Sequence, residues 1–126
     1  MLINKEELHA IKLLLRLETD AIKGSVEEYS DEIGISKTHG HKLTRKLKEA
    51  GLIDSYKGRN GGYYLSRPLS KISLFDVHIA LYGKDRGSYV HPENMNHKNK
   101  KMKKQLKNID KNICLIMKNT KLDEMI

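Results

Sequence analysis

Residues 25–67 read SVEEYSDEIGISKTHGHKLTRKLKEAGLIDSYKGRNGGYYLSR, and this stretch decides the fold. It begins with apolar residues at helical spacing, continues through a glycine at position 34, and then has a longer helical segment over residues 37–50. Ser36 is a favoured N-cap for the second helix, and Gly51 stands where a C-terminal glycine cap belongs. A short helix, a glycine turn and a longer helix predict a helix-turn-helix motif, with an ordinary helical hairpin as the alternative.

The pattern changes after Gly51 from helical spacing to two short extended segments. Residues 52–57 and 63–67 predict two strands. The glycine-rich residues 58–62 between them predict a hairpin turn, because glycine permits positive φ. A hairpin that directly follows the second helix of such a motif is a wing. The sequence therefore predicts a mainly α-helical, winged helix-turn-helix domain with a small β-hairpin.

The start of the second helix is rich in hydrogen-bond donors and has no acidic residue. In a helix-turn-helix the second helix enters the major groove of DNA, where its first residues contact base edges and phosphates. The candidate DNA-contacting residues are Lys37, Thr38, His39, His41, Lys42 and Arg45 in this helix, and Arg59 and Asn60 at the tip of the wing. Gly40 inside the helix costs about 1 kcal/mol relative to alanine. It indicates a close approach to DNA backbone, a close approach to another helix, or a glycine that is simply tolerated.

Two further helices are predicted on either side of this motif. Asn4 and Glu7 have the spacing of a capping box and open a helix that extends to about residue 18. Ser73 and Asp76 open another, which ends at Gly83. The expected inward residues are Leu8, Ile11, Leu14, Leu15 and Leu17 in the first helix, and Leu43, Leu47 and Ala50 in the helix over residues 37–50.

A long helix is predicted from about Asn96, and its apolar residues follow a spacing of 4, 3, 4 and 3. That spacing is typical of a coiled-coil seam of about two heptads. The seam consists of Met102, Leu106, Ile109, Ile113 and Ile116. Packing against the same chain would cover the seam, but a symmetric partner helix is the favoured interpretation. The predicted division is a winged domain over residues 1–83, a loop over 84–97, and a dimerisation helix with a C-terminal turn over 98–126.

The chain has 126 residues, enough for the core of one domain, and a formal net charge of +8. Residues 34–67 and residues 84–126 each carry a net charge of +6, and such clustering favours a polyanionic partner. No stretch approaches the roughly 18 apolar residues that a membrane span needs. The acidic start does not resemble a signal peptide. A cytoplasmic protein without membrane contact is therefore predicted.

Enzymatic activity is not expected. An enzyme needs a nucleophile–base pair, paired carboxylates, a phosphate-binding loop or a metal cluster. The glycine-rich residues 58–62 lie between two predicted strands and lack the lysine–serine ending of a P-loop. The alternative to DNA binding is a protein-interaction module whose basic C-terminal helix binds an acidic partner.

Residues 61–68 and 72–77 read GGYYLSRP and ISLFDV, and they resemble the signature of the Rrf2 family of bacterial winged helix-turn-helix transcriptional regulators. The similarity covers nearly the whole chain and is weakest over residues 84–97. The resemblance implies a homodimer joined by the long helix, with helix 37–50 in a major groove and the wing in the flanking minor groove. The expected partner is double-stranded DNA with a palindromic operator, and the expected function is transcriptional regulation, as a repressor.

The chain departs from the family pattern at two places. Members usually have tyrosine and leucine where this chain has His39 and Gly40, so the contacts of that helix are expected to differ. Cluster-binding members place three cysteines in the loop before the dimer helix, and this loop has none. Cys114 is the only cysteine, which excludes a disulfide and a thiolate-ligated iron–sulfur cluster within one chain. No cofactor is therefore expected, and the effector is unknown.

Three weaker candidates for sensing remain: a group of metal-ligand side chains, the single cysteine, and a small-molecule pocket between the winged domain and the dimer helix, for which the sequence has no direct signal. His91, Met95 and His97 are ligand types for a soft or borderline metal, but no fourth ligand is near and an ordinary loop is the favoured interpretation. Cys114 lies beside the seam, where it could oxidise across a twofold axis or be modified, but a reduced and packed cysteine is the favoured interpretation.

Overall fold

The computed structural model describes residues 3–19, 26–57, 62–83 and 99–126. Within this part the α-helices are α1 (Lys5–Thr19), α2 (Val26–Ile33), α3 (Lys37–Glu49), α4 (Leu74–Tyr82) and α5 (Lys100–Asn119). The strands β1 (Ile53–Tyr56) and β2 (Gly62–Leu65) form an antiparallel hairpin, and short 3-10 turns cover Leu69–Lys71 and Leu122–Met125. The predicted fold class, mainly α-helical with a β-hairpin wing and a long C-terminal helix, is confirmed.

Local side-chain chemistry sets the helix boundaries where the sequence predicted them. The Ser36 hydroxyl accepts a hydrogen bond from the backbone N–H of His39 at 3.1 Å and caps α3. Ser73 and Asp76 form a reciprocal capping box at the start of α4. Gly34 and Gly51 have φ values of 77° and 78°, so they end α2 and α3 in a conformation that favours glycine.

The core lies where α1, α3, α4 and the base of the hairpin meet. Leu14, Leu43, Leu47, Ile53 and Val77 are all buried in it. These residues come from the four elements α1, α3, β1 and α4, so the core joins the helix-turn-helix to the wing and to α4. This packing positions the outer face of α3 relative to the wing.

The end of the chain is tied back to the start of α4. The backbone N–H of Leu122 donates to the Ile72 carbonyl at 2.9 Å, and that of Leu74 donates to the Thr120 carbonyl at 3.0 Å. Leu122 itself is fully buried in the core. The C-terminal end of α5 is therefore attached to the winged domain of its own chain.

Two expected inward residues face solvent instead. Leu8 is 42% exposed, whereas Ile11, Leu14 and Leu17 are buried as predicted. Ala10 and Leu13 are buried as well, because the face of α1 that meets α4 and the hairpin includes them. Ala50 is also exposed, because the chain leaves α3 at Gly51 before this position reaches the core.

Glu7 has a role that its predicted capping function did not suggest. Asn4 caps α1 as expected, accepting from the backbone N–H of Glu7 at 2.9 Å. The Glu7 carboxylate is buried and lies 3.2 Å from Nδ1 of His78 in α4, which is also buried. A polar group at such a site needs a partner, so this pair links α1 to α4 across the core.

Gly40 marks a close approach between two helices. A Cβ atom at this position would lie 2.0 Å from the Ser30 hydroxyl oxygen and 3.0 Å from a Val26 methyl group, both in α2. The Ser30 hydroxyl in turn donates to the Val26 carbonyl at 2.7 Å. Of the three interpretations of Gly40, the structure selects the approach to another helix.

Replacing Gly40 with alanine should therefore destabilise the protein. The added methyl group overlaps α2, and overpacking of this kind costs about 1–3 kcal/mol, against a gain of about 1 kcal/mol in helix propensity. The expected net loss is up to about 2 kcal/mol in the free energy of unfolding, measured by urea denaturation.

Ser30→Ala provides the matched background, because it removes the oxygen that the new methyl group meets first. Gly40→Ala should cost less in that background than in the wild-type chain. Equal costs in both backgrounds would show that α2 and α3 do not meet at this point.

Candidate nucleic-acid interface

The outer face of α3 carries the donor-rich residues that the sequence singled out. The structure brings together Lys37, Thr38, His41, Lys42 and Arg45 as exposed residues on this helix, with His39 half-buried beside them. A shallow concavity of about 440 Å³ is lined by Thr38, His41, Lys42 and Arg45. The opposite face of the helix is buried, so the core fixes which side chains point to solvent.

The basic residues of α3 divide into two groups. Lys46 Nζ lies 3.2 Å from Glu6 Oε1, and both side chains are half-buried. Lys48 Nζ donates to the Ser55 hydroxyl of β1 at 2.7 Å. These two lysines tie the last turns of α3 to α1 and to the wing.

Lys37, Lys42 and Arg45 form the other group. None of the three makes an ion pair with any residue in the part of the chain that the structure describes. Their charges remain available to an anionic ligand on the exposed face. Unpaired cations on an exposed helix surface suit phosphate oxygens and guanine edges.

The two histidines of α3 make different contacts. His41 Nε2 lies 2.8 Å from Glu27 Oε1, which links the helix to α2 at the surface. The His39 ring meets the His9 ring of α1 edge to face, with centroids 5.7 Å apart. Burial, and after it the charges of His39 and nearby lysines, lower the pKa of His9. His9 is therefore more often neutral at a given pH than an exposed histidine.

The wing pairs β1 and β2 in the register Ile53 with Leu65 and Tyr56 with Gly62. Tyr56 and Tyr64 share its outer face, stack with ring centroids 6.0 Å apart, and are 39% and 41% exposed. This pair was not predicted from the sequence. The alternation of side chains along each strand places both tyrosines on one face once the register is known. Arg59 and Asn60, the predicted tip residues, lie outside the described residues.

The predicted seam of α5 is split between two environments. Met102, Ile109 and Ile116 are 36%, 50% and 65% exposed. Leu106 and Ile113 are half-buried, and Ile113 packs against the core of its own chain. The seam residues do share one side of the helix, but only part of that side is covered by the chain itself.

Cys114 lies half-buried next to this seam. Burial, and after it the Asp110 carboxylate, raise the pKa of its thiol, and Lys118 opposes the shift. Because the thiolate is the reactive form, this environment favours an unreactive, protonated cysteine. His91, Met95 and His97 lie outside the described residues.

The sequence profile of the Rrf2 family, described as an iron-dependent transcriptional regulator, matches residues 3–126. YwgB of Bacillus subtilis (strain 168), whose name describes a helix-turn-helix type of transcriptional regulator, is 38% identical over 81 residues, which are 63% of this chain and 51% of YwgB. The chain thus spans about half the length of the curated relatives it matches.

Solved structures agree with the family match. The crystal structure of CymR from Staphylococcus aureus is 25% identical with a TM-score of 0.73, covering 94% of this chain and 93% of that one. IscR from T. potens, 20% identical with a TM-score of 0.73, covers 98% of this chain and 84% of its own, and shows the shared fold. The fold is that of winged-helix, DNA-binding transcriptional regulators. The chain belongs to the Rrf2 family, as its residues 61–77 predicted.

Since the family is described as iron-dependent, the residues of this chain can be compared with the ligand sets that iron requires. One cysteine cannot supply the thiolates of an iron–sulfur cluster within one chain. The described residues also contain no group of three histidine, cysteine, aspartate or glutamate side chains placed to hold a metal ion. This part of the chain does not fit an iron site.

The family and its structural neighbours are transcriptional regulators rather than enzymes. Among the described helices, none combines the length and the apolar character required to cross a bilayer.

Because Lys46 forms an ion pair and Lys42 does not, we expect the two lysines to contribute differently to stability. Lys46→Ala should lower the free energy of unfolding by about 0.5–1 kcal/mol, because it removes a half-buried ion pair. Lys42→Ala, one turn away and fully at the surface, should leave stability unchanged. Thermal unfolding of both variants measures the difference.

A double-mutant cycle with Glu6→Ala assigns the effect to the pair. The cost of Lys46→Ala should shrink when Glu6 is already absent. If Lys42→Ala and Lys46→Ala lower the free energy of unfolding equally, the distinction between a lysine that holds α3 in place and a lysine that is available to a ligand is wrong.

Proposed function

We propose that this protein is a homodimeric transcriptional repressor that binds a palindromic operator. In each subunit, α3 enters a major groove, and Lys37, Thr38, His39, His41, Lys42 and Arg45 contact bases and phosphates. The wing, with Arg59 and Asn60 at its tip, lies along the flanking minor groove. The observation that carries the proposal is the exposed surface of α3, where Lys37, Lys42 and Arg45 make no ion pair with a described residue.

The electrostatics of the domain support this function. A duplex carries one negative charge per about 1.7 Å of its axis, so unpaired cations on a single helix face gain most from a phosphate backbone. The His41–Glu27 contact is at the surface, with side chains 55% and 39% exposed, so a base edge or phosphate can compete for the histidine. Lys46 and Lys48, which hold α3 in place, need not leave their partners.

The split seam of α5 supports the dimer. Met102, Ile109 and Ile116 follow one another at seven-residue intervals and are exposed along the helix. Seven-residue spacing keeps apolar residues on one line facing a partner helix. A second copy of α5 packed around a twofold axis would cover this line, and two α3 helices would then face successive major grooves.

The domain division follows from the same proposal. Residues 1–83 form the DNA-binding domain, residues 84–97 form a connecting loop, and residues 98–126 form the dimerisation helix and the C-terminal turn. The hydrogen bonds at Leu74 and Leu122 join the last segment to the first, so the dimer would set the spacing of the two DNA-binding domains.

Variants of α3 test the DNA contact. The operator is first obtained by selecting genomic fragments that the protein binds. Arg45→Ala should then weaken operator binding by about 1–3 kcal/mol, and Lys42→Ala should reduce the salt slope of binding by about one. Lys71→Ala, which removes the same charge from an exposed position outside α3, is the matched control and should bind like the wild type.

The results separate the candidate functions. Wild-type affinity in both α3 variants would show that these residues do not contact DNA. Duplex binding that is absent or insensitive to salt would favour a protein-interaction module. Repression itself is measured with a reporter gene under a selected promoter, whose expression should rise when the protein is deleted.

Ile109→Glu tests the dimer. A buried glutamate in a coiled-coil seam is strongly disfavoured, so the variant should be monomeric in analytical ultracentrifugation and should bind the operator much more weakly. Asn108→Glu places one negative charge on the neighbouring exposed position away from the seam and should remain dimeric. A dimeric Ile109→Glu variant would place the interface elsewhere.

A further inference from the structure

The side of α5 opposite the apolar seam is covered by lysines. Lys100, Lys104, Lys107 and Lys111 recur at intervals of 4, 3 and 4, and all four are exposed. We call these four residues the lysine ridge. A helix rises about 1.5 Å per residue, so the ridge is about 16 Å long. A shallow concavity of about 340 Å³ beside it is lined by Lys100, Lys103, Lys104, Lys107 and Asn108.

The ridge is electrostatically unfavourable for the helix that carries it. Like charges three and four residues apart repel, and the ridge contains such pairs along its whole length. The first turn of α5 holds lysines and no acidic residue, although the positive end of the helix dipole disfavours cations there. A face kept merely for solubility is served equally well by mixed charges, which would not destabilise the helix.

No ridge lysine is neutralised by the described part of the protein. None of the four makes an ion pair with a described residue. Lys118, further along α5, differs because its ammonium group lies 4.7 Å from the centre of the Phe75 ring. The ridge is therefore an unpartnered cationic line, separate from the exposed face of α3.

We propose that the lysine ridge is a second, sequence-independent binding surface for the sugar–phosphate backbone of double-stranded DNA. Over about 16 Å one DNA strand presents about five phosphates, which matches four lysines in a line. Phosphates would remove the repulsion within the ridge and the penalty at the start of α5, so binding stabilises the helix. This proposal does not depend on the contacts assigned to α3.

The test uses the full chain with α3 disabled by Lys42→Ala and Arg45→Ala. Lys104→Gln with Lys107→Gln is the ridge variant, since glutamine keeps the helix propensity of lysine. Lys12→Gln with Lys71→Gln removes the same charge from exposed positions outside α5 and is the control. The probe is a 20-base-pair duplex of random sequence, titrated at several salt concentrations.

The ridge substitutions should reduce the slope of log K against log salt by about two, and the control substitutions should leave it unchanged. Addition of the duplex should also raise the Tm of the control more than that of the ridge variant. Equal slopes in the ridge and control variants would overturn the proposal.

Poly-glutamate serves as the probe for an acidic protein partner. If the ridge substitutions weaken binding of poly-glutamate and leave duplex binding unchanged, the ridge binds a protein and the proposal is wrong. Failure of the α3 contacts has a different signature, because the Lys42→Ala and Arg45→Ala changes alone would then leave operator affinity intact.

Discussion

The close approach of α2 and α3 at Gly40 is the contact on which the geometry of the winged domain depends. Only a residue without a side chain fits beside Ser30 and Val26 at this distance. The approach presses one side of α3 against α2, where Thr44 is buried and donates to the Gly40 carbonyl at 3.1 Å. The other side of α3 is thereby turned to solvent. Gly40 weakens α3 locally, but it determines which side of this helix faces solvent.

Features that depend on neighbouring residues could be predicted from the sequence, and features that depend on distant residues could not. Capping by Ser36 and Ser73 follows from side chains that reach only three residues along the chain. The burial of Leu13 in place of Leu8 depends on how α1 meets α4 and the hairpin, and the pairing of Glu7 with His78 joins residues that are 71 positions apart. Neither has a local signal in the sequence.

The candidate site shows the same limit. The exposed position of Lys42 follows from helical periodicity around Leu43 and Leu47, which the sequence displays. The engagement of Lys46 with Glu6 does not, because the two residues are 40 positions apart. The stacked tyrosines of the wing required the strand register. Composition counts all lysines as equal, but only tertiary packing distinguishes a lysine that holds the helix from one that is available to a ligand.

The same distinction, between groups that the chain covers and groups that it leaves exposed, applies to whole faces of α5. Its own chain covers one edge of the apolar seam at Ile113 and buries the adjacent Met117, which anchors α5 next to α4. The other edge, with Ile109 and Ile116, remains exposed, so the seam is too wide for one chain to cover. Because the helix is already anchored to the winged domain, a partner on that edge would gain apolar area without ordering a new segment. Such a pre-positioned edge suits a partner that brings a rigid surface of the same kind, as a second copy of α5 would.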